Sequence, residues 1–408
     1  MPSPTNKNLL QMEEVGESTP KRTNDCIDNS LIATPTPQLN LQRLECPSDM
    51  PSSPLKRKNR LGTRELVLEP TIASENTSHS FLEDLNQCFS QRSQNTLVCL
   101  KKAIDFFSTN FENDVLELVG FDCLASFVHD LGLFLQDCTV NCMRREAENS
   151  SDSWKEDETD IYVSLNSTML YLIIISNLHV PPNIRNEETI SHLLGILKYC
   201  IRIDEESSVL IKVRELICQI FPFMSSLLLL ENIQEEHLFN IITVLFECFK
   251  LKELAMLDRL MIESISVLRI IYQKFPLTRS AILSEFRMSL SFEKLKSFKG
   301  FKTLCEKRPF NIFTMLLLRL SQSCMKSCSE EEEKSNKQAK NHVDVLISFV
   351  SMLISAIVES KEKDKDRLND SKENVDAIFH DLINIYPSVE WPIASDFLFV
   401  FSKLLVNF

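Results

Sequence analysis

Six cations crowd into residues 291–308: Lys294, Lys296, Lys299, Lys302, Lys307 and Arg308, against only Glu293 and Glu306. Phe292, Phe298 and Phe301 are interleaved with them. Clustered ammonium groups neutralise phosphates and release counterions, which is the chemistry of salt-sensitive, sequence-independent DNA binding. The same run also reads as a solvated connecting loop whose phenyl rings anchor it to a core. A second cluster, Lys56, Arg57, Lys58 and Arg60, fits a nuclear-import signal or a weak nucleic-acid contact, and equally a solvated charge run. Thr19 and Ser53 each precede a proline, with a basic residue close behind, the pattern taken by a proline-directed kinase. A phosphate on Ser53 would set negative charge beside the second cluster and weaken its hold on anions. Both sites also suit a plain polar tail, in which Ser, Thr and Pro are common.

Nothing else in the sequence has the spacing of a reaction centre. The seven His are scattered, and His129-Asp130 and His380-Asp381 are adjacent pairs, which do not face each other on a helix. Glu235-Glu236 lies at an expected helix start, where acids suit the dipole. Cys138/Cys142 and Cys324/Cys328 are spaced four apart, but no Cys-x-x-Cys or His-x-x-x-His supplies the further ligands zinc needs. The thirteen Cys are odd in number and lie mostly in apolar helical patterns, so they read as reduced thiols in a core. Only six residues are Gly, and no two are close neighbours. A phosphate-cradling loop needs several at short spacing, which excludes Walker-type NTPases, kinases and Rossmann dehydrogenases. The expectation is a non-enzymatic chain with no cofactor, metal or small-molecule substrate and no membrane partner.

The elements that must carry these residues differ between the two ends of the chain. Residues 1–78 are rich in Ser, Thr, Pro and Asn, with apolar residues mostly in ones and twos, and are expected to be a disordered regulatory and partner-binding tail. From about residue 80 apolar residues recur at three and four. Leu257, Leu260, Met261, Ile265, Leu268, Ile271, Tyr272 and Phe275 trace one helical stripe. Further helices are expected at 93–107, 115–135, 159–178, 187–203, 206–230, 235–251, 276–290, 309–328, 339–360, 373–386 and 391–406, with Pro222 kinking the long one. Strand signals are nearly missing. Three charged stretches, 144–160, 329–341 and 359–372, read as solvent loops. The fold class is all-α: a HEAT-type α-solenoid of stacked antiparallel helix pairs, with a helical segment over 79–205 and repeats over 206–408.

Two local patterns resemble one family. Tyr272-Gln-Lys-Phe275-Pro276-Leu-Thr-Arg279-Ser-Ala-Ile282-Leu283-Ser-Glu285 through Leu290 runs into the basic stretch ending at Leu304. Glu390-Trp391-Pro392-Ile-Ala-Ser-Asp-Phe-Leu398 runs into Leu404-Leu405. Both are similar to the adherin, or Nipped-B, family of chromosomal cohesin loaders, in the order of that family's N-terminal solenoid. The likeness covers mainly 205–408, and Lys stands where relatives often carry Arg. It implies a nuclear, chromatin-associated helical-repeat protein that promotes loading of the cohesin ring for sister chromatid cohesion. It implies three kinds of contact: a TPR-repeat partner subunit through the N-terminal region, the cohesin kleisin and ATPase-head subunits, and DNA. Leu9/Leu10 and Leu66-Val67-Leu68 are candidate anchors for the TPR partner. The end at Phe408, inside an apolar helix, suggests an N-terminal portion of a longer protein. A HEAT-repeat scaffold or transport adaptor that binds proteins only is the alternative.

Overall fold

The computed structural model describes residues 94–111, 115–148, 158–203, 208–230, 233–251, 257–290, 301–302, 309–325, 344–356, 365–386 and 391–406. All belong to one compact unit, Pro70–Phe408. Thirteen α-helices lie among the described residues: α1 (Gln94–Thr109), α2 (Val115–Val119), α3 (Phe121–Glu148), α4 (Glu158–Ile175), α5 (Glu187–Arg202), α6 (Ser208–Leu230), α7 (Glu235–Glu247), α8 (Leu257–Lys274), α9 (Arg279–Ser289), α10 (Ile312–Met325), α11 (Asp344–Ala356), α12 (Lys365–Ile385) and α13 (Ile393–Val406). A minimal antiparallel ladder, β1 (Phe301–Lys302) with β2 (Pro309–Phe310), pairs Phe301 with Phe310 and Lys302 with Pro309.

The helices stack as an α-solenoid of two layers. Helices α1, α4, α6, α8 and α10 pack side by side in that order, and α3, α5, α7 and α9 form the second row. Skipping one helix to reach the next neighbour is the contact order of stacked antiparallel pairs. One hydrophobic core runs through both rows. The expected stripe on α8 is its buried face: Leu260, Met261, Leu268 and Ile271 are fully enclosed. Helix α4 is different, because every residue from Val163 to Ile175 is buried. A helix apolar on all sides must be covered on all sides, and α1, α3, α5 and α6 pack around it. Helix α6 is long and apolar enough, by length and composition, to cross a bilayer, a property not expected from the sequence. Half of its most apolar window is buried inside the solenoid. Pro222 sits within it without ending it.

Glycine is spent where the rows are tightest. Gly120 takes φ +83° and separates α2 from α3, breaking the single helix expected over 115–135. On the α3–α5 crossing two glycines answer two threonines reciprocally. A Cβ at Gly132 would meet Thr189 Oγ1 at 2.9 Å, and one at Gly195 would meet Thr139 Cγ2 at 2.9 Å. Thr139 is held in place, its hydroxyl lying 2.8 Å from the carbonyl oxygen of His192 across the crossing.

Two of the stretches expected as solvent loops are partly helical. Residues 144–148 finish α3 and 158–160 start α4, and across the gap Arg145 Nη2 lies 3.0 Å from Asp160 Oδ2. Arg145 is buried. Charge density alone could not show this, since a charged residue enters a core once it is paired. Residues 365–372 open α12, where their charge suits a helix as well as a loop. The stretch 329–341 lies outside the described residues, as does the tail expected over 1–78.

Candidate interaction surfaces

Of the expected contact residues, Lys294, Lys296, Lys299, Lys307 and Arg308 lie outside the described residues. Lys302 is described in its backbone alone, in β1 opposite Pro309. Lys56, Arg57, Lys58, Arg60, Thr19, Ser53 and the anchor candidates Leu9, Leu10 and Leu66–Leu68 also lie outside.

The two family-like patterns are described for the most part, and the side chains that can be followed are corner pieces of the solenoid. Phe275-Pro276-Leu-Thr278 turns the chain from α8 into α9 through a short 3₁₀ helix, with proline at its first position, where no backbone donor is needed. Thr278 Oγ1 donates to Phe275 O at 2.9 Å. Arg279 Nε donates to Tyr272 O at 2.9 Å, and its guanidinium stacks on the Tyr272 ring at 5.2 Å. Lys274 Nζ donates to Leu228 O and Leu229 O at the end of α6, at 2.8 and 3.0 Å. Both cations therefore serve helix C-termini, where carbonyls are unsatisfied and the dipole is negative. In the second pattern, Trp391 is buried against α10, with the Arg319 guanidinium 5.0 Å above its ring. Asp381 of α12 accepts from Asn311 N and Thr314 Oγ1 at the start of α10, at 2.6 and 2.8 Å. Burial holds its carboxyl above the usual carboxylate range despite those bonds. It is a structural cap, which explains its place beside His380.

Along the second row the helix ends are joined by ion pairs. Arg202 of α5 reaches Glu146 of α3 at 2.8 Å and Glu247 of α7 at 3.3 Å, and Lys250 closes on Glu247 at 2.9 Å. Burial alone would raise the Glu247 carboxyl, but hydrogen bonds from Lys250 and Arg202, with their charge, hold it below its ordinary value. The chain spans three successive second-row helices and fixes their relative rotation. Its members are distant in sequence, so no spacing could have announced it.

Four buried thiols are chemically quiet. Burial pushes Cys142, Cys218 and Cys248 up to about 12, and Cys200 well above its ordinary value. Neutral thiols are poor nucleophiles and poor metal ligands. Among the described residues no group of three or more His, Cys, Asp or Glu side chains is placed to hold a metal ion.

What the rows do present is charge and shallow grooves. The first-row helices α1, α4, α6, α8 and α10 carry eight basic and six acidic residues, and the second-row helices α3, α5, α7 and α9 carry six basic and eleven acidic. Among the described residues, three of the grooves on these helices can be followed. One of about 340 Å³ lies between α3 and α5 and includes His129, His192, Arg185 and Glu188. Arg185 donates to Val180 O at 2.9 Å, bracing the loop ahead of α5. One of about 250 Å³ crosses α4 between α1 and α6, with Lys101, Lys212 and Glu215 on its walls and Tyr162 and Asn166 on its floor. The third, of about 190 Å³, lies between α8 and α10.

No family model matches the chain, and no curated protein matches it in sequence. Among solved structures it is similar to the C-terminal fragment of the cohesin loader SCC2 from Chaetomium thermophilum, with a TM-score of 0.57 at 13% identity. The likeness covers 82% of this chain and 30% of that fragment. At this identity the likeness concerns the fold: the same helical-solenoid architecture extends through most of the described chain. The chain spans less than a third of the fragment it resembles.

Proposed function

We propose that this chain is a non-enzymatic helical-repeat scaffold that promotes loading of the cohesin ring onto chromatin. The observation that carries the reading is the agreement of two independent resemblances. The patterns at Tyr272–Leu290 and Glu390–Leu405 resemble cohesin loaders in sequence, and the solenoid resembles a cohesin-loader fragment in fold. The fragment of that neighbour is C-terminal, whereas the sequence patterns point to the N-terminal solenoid of the family, so the place of this chain within a loader stays part of the proposal.

On this reading the chain works in the nucleus, bound to chromatin. The N-terminal region meets a TPR-repeat loader subunit, the solenoid faces meet the cohesin kleisin and ATPase heads, and Lys294, Lys296, Lys299, Lys302, Lys307 and Arg308 contact DNA or an acidic cohesin surface. Each lysine that neutralises a phosphate adds about 0.9 to the slope of log affinity against log salt. Changing Lys294, Lys296, Lys299 and Lys302 to Glu in the full chain is expected to weaken duplex DNA binding and flatten that slope by about 3 to 4. Unchanged affinity and slope would remove DNA from this account. Failure to capture either the TPR subunit or the kleisin would favour the scaffold or transport adaptor that binds proteins only.

A further inference from the structure

Helix α3 carries an exposed seam. His129, Leu133, Gln136, Val140, Met143 and Ala147 follow one another at alternating steps of four and three, the spacing of a coiled-coil contact line, and all six are exposed. Leu133, Val140 and Met143 are exposed by 51, 59 and 59%. A single apolar residue at a surface needs no explanation, but a line of them along about 27 Å of helix does. The neighbouring helix α5 runs parallel to α3: Gly132 faces Thr189, Thr139 reaches His192, and Glu146 reaches Arg202. Cys138 of α3 is therefore about level with Leu193 of α5.

The features of this face balance about that level. In the seam, Leu133 and Met143 stand five residues either side of it, and Gln136 and Val140 two residues either side. On α5, Glu188 and Lys198 stand five residues either side. Glu188 is exposed and Lys198 half-buried, and among the described residues neither side chain is in an ion pair. The recess of about 340 Å³ that includes Leu133, Gln136 and Glu188 opens toward the starts of both helices, and Met143 protrudes at the matching distance toward their ends. A two-fold contact requires that each residue meet the residue that meets it. A second copy laid antiparallel satisfies this: its Met143 falls beside Leu133 and the recess, its Lys198 falls opposite Glu188, and each contact occurs twice. Asp137 flanks the seam near the axis, on the side away from α5, and approaches its own copy there. That like-charge approach and the modest length of the face suit a weak, reversible dimer.

We infer that the outer face of α3 and α5 is a dimerisation surface for a second copy of this chain, packed antiparallel about a two-fold axis level with Cys138 and Leu193. The inference rests on this face alone and does not depend on the cohesin-loading reading.

The test is sedimentation velocity of the full chain, kept reduced, at concentrations from about 1 to about 100 µM. The parent chain is expected to pass from monomer toward dimer across this range. Met143→Asp, at an exposed position, is expected to weaken the association at least about tenfold. Glu188→Lys and Lys198→Glu are each expected to weaken it about tenfold, because each sets like charges together at two symmetry-related places. The double variant carrying both charge changes is expected to regain the parent association, with the helical circular dichroism of every variant unchanged. A parent chain that stays monomeric throughout overturns the inference. So does a dimer indifferent to Met143→Asp, which would place the contact on another face, and so does a double variant no tighter than the singles, which would exclude the antiparallel register.

Discussion

The α3–α5 crossing gives a prediction whose sign depends on a single methyl group. Gly195→Ala in a helix interior gains about 1 kcal/mol from helix propensity. The new Cβ would lie 2.9 Å from Thr139 Cγ2, closer than carbon atoms approach, and Thr139 cannot turn away without giving up its bond to His192 O. Overpacking of this kind costs about 1–3 kcal/mol, so the single substitution is neutral to destabilising by about 2 kcal/mol. Thr139→Ser removes the methyl and keeps the hydroxyl, and Thr139 Oγ1 is 4.0 Å from the new Cβ, an ordinary contact. In that background Gly195→Ala should stabilise by about 1 kcal/mol, giving a favourable coupling of about 1–3 kcal/mol in the double-mutant cycle. Long helical arrays lose two-state cooperativity, so the readout is the opening free energy of the α3 and α5 amides by hydrogen exchange, not a global melt. The reasoning is refuted if Gly195→Ala stabilises the parent chain by about 1 kcal/mol and simply adds to Thr139→Ser.

Glu247→Gln removes the acid at the centre of the Glu146–Arg202–Glu247–Lys250 chain. Because Glu247 is held below its ordinary value in the folded chain, its contribution is present above the ordinary carboxylate range and is lost as pH falls through the folded value. Hydrogen exchange of the α5 and α7 amides should show the variant opening more readily than the parent at pH 7 and the gap closing in acid; a gap that widens in acid contradicts this sign. Iodoacetamide at pH 8 should leave Cys142, Cys200, Cys218 and Cys248 unmodified in the folded chain and alkylate them once urea unfolds it, as read by peptide mass spectrometry. Rapid labelling of any of the four in the folded chain contradicts their burial.

Much of the fold is legible in the sequence because repeat helices are specified locally. The stripe on α8 needs only its own period of three and four, and Pro276 and Pro392 mark helix starts by removing donors. The interaction surfaces are less legible, because each is built from residues far apart in the chain. Arg202 finds Glu146 and Glu247 on neighbouring helices, and Arg319 of α10 finds the Trp391 ring far along the chain. Charge misled at 144–160, where pairing with the half-buried Asp160 lets Arg145 enter the core. Gly132 and Gly195 carry no signal in the sequence; what they do shows only once Thr189 and Thr139 are placed opposite them. The family-like patterns were visible as patterns, but the described part of their physical work is at solenoid corners: Arg279 on Tyr272 O, and Trp391 beneath Arg319.

The central claim is that this solenoid helps to place cohesin on chromatin. The direct measurement is the amount of cohesin in a salt-resistant chromatin fraction after rapid depletion of this chain, with total cohesin followed in parallel. The account predicts that chromatin-bound cohesin falls while total cohesin stays constant, and that re-expression of the parent chain restores it. Undiminished chromatin-bound cohesin after complete depletion would contradict the claim.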